Sequence, residues 1–139
     1  MNFVAIDVET ANLNFASICQ IGVAEFRDGV LYDTWESLVD PEDYFDEMNI
    51  AIHGIDEWTV RSAPKWQIVY ELLVPWLQGK VVASHTPFDC VALFRACEKK
   101  GLAPHDCTWL DTARVVRRAW PVFAQKGYGL ANVTKQLNT

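Results

Sequence analysis

The chain has 139 residues, enough for one domain and too few for two. Half of it is apolar, and 12 basic residues face 18 acidic ones for a net charge of −6. That balance excludes a nonspecific nucleic-acid coat, which needs a basic face to neutralise phosphates, but not an enzyme that grips a strand end.

No run of about 18 apolar residues is present, so no membrane span is expected. Met1-Asn2 lacks the positive charge of a signal peptide, and Asp7 and Glu9 interrupt the first apolar stretch. Cys19, Cys90, Cys97 and Cys107 form no CxxC pair, so the reading is free, mostly buried thiols in a reducing cytoplasm.

Phe3-Val4-Ala5-Ile6 reads as a strand buried on both faces. Ile18 to Phe26 is a second strand, ended by the turn signal Asp28-Gly29. Val30 to Val39 is a third and stops at Asp40-Pro41. The segment Glu42 to Ala63 reads as irregular with short helical turns.

Pro64 is expected to open a helix, a position proline tolerates. Trp66, Val69, Tyr70, Leu73, Trp76 and Leu77 give that helix one apolar face. Pro75 should kink or shorten its last turn, and Gly79 should end it. Val81-Val82-Ala83 is a fourth strand. Pro87 begins a second helix, with Cys90, Leu93, Phe94 and Cys97 as its expected stripe and Gly101 as its close. Thr108 to Leu110 is a fifth strand, Asp111 is a candidate cap for a following helix, and a last helix starts near Leu130.

The order β-β-β-α-β-α-β-α-α begins with antiparallel hairpins and continues with strand–helix alternation that favours parallel pairing. It implies an α/β, ribonuclease-H-like fold, with a five-stranded mixed sheet flanked by helices.

Asp7 and Glu9 are two residues apart, so on a strand they share a face, with Cα atoms about 7 Å apart. Val8 points the other way. Like charges so placed oppose each other's ionisation, and divalent cations would relieve the conflict. For a lone Asp-x-Glu a solvated strand end is the better explanation, since such pairs are common. Asp89 lies in the first turn after the fourth strand. If that strand runs parallel to the first, its carboxyl end brings Asp89 toward Asp7 and Glu9. Compensation of the helix dipole accounts for Asp89 taken alone.

Four segments in order, Ile6-Asp7-Val8-Glu9-Thr10, Ile18-Cys19-Gln20-Ile21-Gly22, Ile52-His53-Gly54-Ile55 and Ser84-His85-Thr86-Pro87-Phe88-Asp89, resemble the DnaQ-like DEDDh exonucleases. That branch is similar to the proofreading epsilon subunit of bacterial DNA polymerase III. The resemblance runs from Phe3 to about Leu137. It implies a 3′→5′ exonuclease acting on single-stranded DNA or RNA ends with two divalent cations, Mg²⁺ or Mn²⁺. Hard cations of this kind take carboxylate oxygens. One generates the attacking hydroxide and the other stabilises the leaving 3′ oxygen.

The resemblance makes Asp7 the bridging ligand, with Glu9 and Asp89 as further metal ligands. It places Thr10 under the terminal nucleotide, with His53 and Ile55 in its pocket. His53 also reads as a loop histidine bonded locally, and His85 as packing or support. The implied partners are a nucleic-acid 3′ end and a DNA polymerase or repair complex, with no membrane.

The branch also requires a histidine five residues before a final aspartate. After Gly127-Tyr128-Gly129-Leu130 the sequence to Thr139 contains neither, and the pair His105 and Asp111 has the wrong spacing and setting. The expectation is a single exonuclease domain lacking its C-terminal helix. A nuclease-fold module that binds nucleic acid or a polymerase without cutting, and a ribonuclease-H-like endonuclease, are the competing readings.

Overall fold

In the computed structural model, residues 1–84 and 87–111 are described, with the backbone alone at 111. The strands are β1 (Phe3–Thr10), β2 (Ile18–Arg27), β3 (Val30–Leu38), β4 (Val81–Ser84) and β5 (Thr108–Asp111). They form one five-stranded sheet in the order β3-β2-β1-β4-β5. β1 pairs antiparallel with β2, and β2 with β3; β1 pairs parallel with β4, and β4 with β5. This is the expected mixed sheet. The two helices expected after the fifth strand lie outside the described residues, as do His85 and Thr86.

Among the described residues three helices accompany the sheet: α1 (Glu47–His53), α2 (Trp66–Leu77) and α3 (Pro87–Lys99). The main core joins Val4, Ile6 and Val8 of β1 to Trp66, Val69, Leu73 and Leu77 of α2 and to Leu93 and Cys97 of α3. Alternation along β1 thus commits Val8 to the core and turns Asp7 and Glu9 to the other face. A smaller cluster, Ala11, Cys19, Ile55 and Val60, packs beyond the end of β1. All four cysteines are free thiols. No helix among the described residues is long and apolar enough to cross a membrane.

Three details differ from the sequence reading. The irregular segment contains a formed helix, α1, capped by the Asp46 side chain, which accepts from Met48 N at 2.8 Å. Gly54 ends it at φ 73°, where a side chain would be strained. α2 starts at Trp66, not Pro64, and runs through Pro75 to Leu77. Proline sits so near the C-terminus that it costs one intrahelical bond and does not stop the helix.

The buried stripe of α3 is Asp89, Ala92, Leu93, Ala96 and Cys97, whereas Phe94 is 42% exposed. Choosing the larger side chains for the core turned the expected stripe by one position. Two alanines instead let the helix approach the sheet closely, and the same stripe buries Asp89.

Candidate active site

β1 and β4 run parallel, with Val4 opposite Val82 and Ala5 opposite Ala83. Their carboxyl ends therefore emerge together, and α3 begins three residues after β4. That places Asp89 against the end of β1. Its Oδ1 accepts a hydrogen bond from the Val8 backbone N–H at 3.0 Å. Val8 is the residue between Asp7 and Glu9, so the acid of α3 is tied to the two acids of β1.

Exposure grades across the three. Asp7 is exposed, Glu9 is half-buried and Asp89 is buried at 5%. Burial pushes the Asp89 carboxyl up to about 7, opposed by the Val8 N–H and reinforced by the charges of Asp7 and Glu9. Glu9 is raised by burial first and by Asp7 second, with His53 pulling the other way. Asp7, though open to solvent on one side, is raised by the desolvation that its protein neighbours impose. Three carboxyls are thus held where all three resist ionisation together. Positive charge would relieve them.

In donor type these residues fit a hard divalent cation, which takes oxygen ligands and leaves thiols aside. In arrangement they make a partial site: among the described residues, no three His, Cys, Asp or Glu side chains form a closed metal-holding group.

The expected substrate residues lie next to this edge. The His53 Nε2–H donates to the Thr10 carbonyl at 2.9 Å, and the Ile55 N–H donates to His53 Nδ1 at 3.0 Å. Those two bonds fix the orientation of the ring and connect α1 to β1. Thr10 and Ile55 are both buried, at 6%. Cys19 Sγ lies 4.0 Å from His53 Nε2. Burial and the Glu9 charge push its pKa to about 12, so this thiol stays protonated and is not a nucleophile.

His105 is remote from the carboxylates. It precedes β5, at the amino ends of the parallel strands, where Nε2 bonds the Tyr70 carbonyl at 3.0 Å. Its sequence proximity to Asp111 therefore carries no catalytic meaning.

Two polar residues were missed by sequence reading. Asn12 is 1% exposed; its Nδ2 donates to the Tyr44 carbonyl and its Oδ1 accepts from the Asn14 N–H, both at 2.8 Å. It ties the β1–β2 loop to the segment leading into α1. The Asn-x-Asn spacing was a usable signal for such a turn. Asn49 donates to the Thr10 carbonyl at 3.1 Å. Its signal was a position four residues before His53, on one face once the segment is helical.

The RNase_T family model, described as exonuclease, matches residues 4–139. The chain belongs to this exonuclease family. Among its relatives, the PolC-type DNA polymerase III of Listeria welshimeri serovar 6b is 26% identical over 139 residues, covering 98% of this chain and 10% of the polymerase. That of Caldanaerobacter subterraneus subsp. tengcongensis is 29% identical over 121 residues, covering 85% of this chain and 9% of the polymerase. The chain spans about a tenth of the length of the polymerases it matches.

Two solved structures share the exonuclease fold. Exonuclease X in complex with 5′ overhanging duplex DNA superposes with a TM-score of 0.63 at 23% identity, over 86% of this chain and 64% of that one. E. coli Exonuclease I in complex with a dA16 oligonucleotide superposes at 0.69 and 14% identity, over 86% and 30%.

Proposed function

We propose that this exonuclease-family chain forms one domain that removes nucleotides from single-stranded DNA or RNA in the 3′→5′ direction, using two divalent cations, Mg²⁺ or Mn²⁺. The observation that carries the reading is the hydrogen bond from Val8 N–H to Asp89 Oδ1. It links the acid of α3 to the acids of β1 at the strand edge where ligands of parallel sheets bind.

Bound cations would supply Lewis-acid activation of the phosphodiester and of water. Asp7, the most exposed of the three, would hold them together with Glu9 and Asp89, and the Val8 N–H keeps Asp89 in orientation. Thr10, His53 and Ile55 form the pocket for the terminal nucleotide. His53 donates its Nε2–H to Thr10 and accepts from Ile55 at Nδ1, so both ring nitrogens are engaged in shaping that pocket.

The names of the relatives favour a DNA polymerase as partner, and the Exonuclease I complex with an oligonucleotide favours a single strand as substrate. A module that holds nucleic acid or a polymerase without cutting is the second reading. It draws on the absence of a closed metal group among the described residues.

The test uses 3′-labelled single-stranded DNA and RNA with Mg²⁺ or Mn²⁺. Mononucleotide release that is abolished by Asp7→Ala and absent on circular single-stranded DNA supports the exonuclease. Cleavage of the circle indicates the ribonuclease-H-like endonuclease. Binding without release, unchanged by Asp7→Ala, indicates the non-cutting module.

A further inference from the structure

α1 has seven residues and buries none of them. A helix this short is marginal by itself, so whatever fixes it on the sheet must come from specific contacts. Those contacts are polar and lie at the end of β1. The Asp46 N–H donates to the Ala11 carbonyl at 2.8 Å. Asn49 Nδ2 and His53 Nε2, one helical turn apart, both donate to the Thr10 carbonyl, at 3.1 and 2.9 Å.

The strand there is irregular. Glu9 pairs with Gln20 and Thr10 with Ile18, so Cys19 is passed over in a bulge. A bulge disrupts the ladder locally and leaves the strand's direction to be set by other bonds. At the Thr10 carbonyl the two side chains of α1 provide them, one for each lone pair.

We infer that Asn49 is a positioning residue for the exonuclease site: its amide pins α1 to the Thr10 carbonyl, so that His53 and the Gly54-Ile55 turn stay in register with Glu9 and grip the 3′-terminal nucleotide. This rests on the assignment of Thr10, His53 and Ile55 to the nucleotide pocket. Asn49 itself touches no reacting group. Its amide serves a carbonyl that His53 also needs, and without it the imidazole alone would hold the corner.

The test is binding of fluorescein-labelled single-stranded DNA in Ca²⁺, measured by anisotropy, with a free 3′ hydroxyl or a 3′ phosphate. Wild type is expected to prefer the free hydroxyl. Asn49→Ala and Asn49→Leu, the latter keeping bulk without a donor, are expected to bind that end about three- to tenfold more weakly, the effect of one lost hydrogen bond. Asn49→Gln, which retains the donor, is expected to recover at least half of the loss. Thermal midpoints within about 2 °C of wild type would separate positioning from unfolding, since α1 adds no buried residue.

Asn49→Leu binding the free end within 1.5-fold of wild type overturns the inference while leaving the exonuclease reading intact. Wild type that binds neither oligonucleotide overturns both, and is recognised because it precedes any comparison of variants.

Discussion

The Val8 amide N–H donates to Asp89 at 3.0 Å, and Val8 is the one residue of its strand segment whose side chain the core claims while its neighbours on either side carry the acids. A single backbone donor thereby couples core packing to carboxylate placement. The strand cannot shift by one residue without exchanging Val8 for an acid in the core. Such a shift would also break the bond to α3.

Asp89→Asn follows directly from this coupling. The folded-state pKa of Asp89 is raised to about 7, above its ordinary 3.8. A raised carboxyl contributes fully below the unfolded value, and that contribution is lost as pH climbs through the folded value. The penalty therefore develops between about pH 4 and pH 7 and is complete at pH 8. Asparagine keeps the acceptor for Val8 and removes the charge. In metal-free buffer Asp89→Asn should be about 1–3 kcal/mol more stable than wild type at pH 8, and indistinguishable near pH 4. Urea denaturation at both pH values measures this. Added Mn²⁺ should raise the wild-type thermal midpoint and leave that of the variant nearly unchanged, and nucleotide release should fall at least a hundredfold. A variant less stable than wild type at pH 8 would contradict the account.

Gly22 stands directly across the β1–β2 ladder from Asp7. Cross-strand partners share a face, so atoms beyond Cβ at 22 would extend along the side of the sheet that carries Asp7. An added Cβ meets only the Glu36 Cβ, at 4.0 Å, an ordinary contact. Gly22→Val should therefore fold, with a thermal midpoint near that of wild type, since valine suits a strand better than glycine. Its Mn²⁺ half-saturation for nucleotide release should rise at least fivefold. Unchanged Mn²⁺ dependence would show that the space beside Asp7 is not used.

The chain order of the strands, the antiparallel start of the sheet and the shared face of Asp7 and Glu9 were legible because period-2 alternation and turn residues are local signals, whereas the parallel seating of β4 on β1 entered only as a condition. What stayed hidden was tertiary. α1 lacks an apolar stripe because it is held by Asp46, Asn49 and His53 through backbone carbonyls, and periodicity cannot report that. The face of α3 was misjudged because side-chain size suggested Phe94 for the core, where close approach to the sheet called for Ala92 and Ala96. Asp89 was legible as an acid in a first turn. Its burial became evident only once the stripe was set correctly.

The alanine stripe yields its own test. Ala92 and Ala96 are 0% and 2% exposed in the main core. Inserting three carbons at Ala96 overfills a packed interface and should cost about 1–3 kcal/mol. Because Asp89 lies two turns earlier on the same buried face, Ala96→Leu should also disturb its bond to Val8. The expected result is a loss of nucleotide release larger than the loss of folded fraction at the assay temperature. Activity that merely tracks the folded fraction would mean that α3 tilts without moving its first turn.

His105 titrates in the opposite sense at the other end of the sheet. Burial holds its pKa below the ordinary 6.5, against the Tyr70 carbonyl and the Glu71 charge, which both raise it. Its ring also packs on Tyr70, with centroids 4.3 Å apart. A depressed histidine is neutral in the fold, so its contribution is complete above 6.5 and is lost as pH falls through the lower folded value. Asp89 gains stability over the same descent, and the wild-type slope between pH 7 and 5 is the sum of the two. His105→Gln should remove the histidine part alone. At pH 7 the variant should be less stable by about 1 kcal/mol, for a lost hydrogen bond and ring contact. On acidification the deficit should shrink, because glutamine has no proton to gain. Urea midpoints at pH 7, 6 and 5 for both proteins measure it, and a deficit that stays constant or widens would show that the fold does not depress the pKa of the ring.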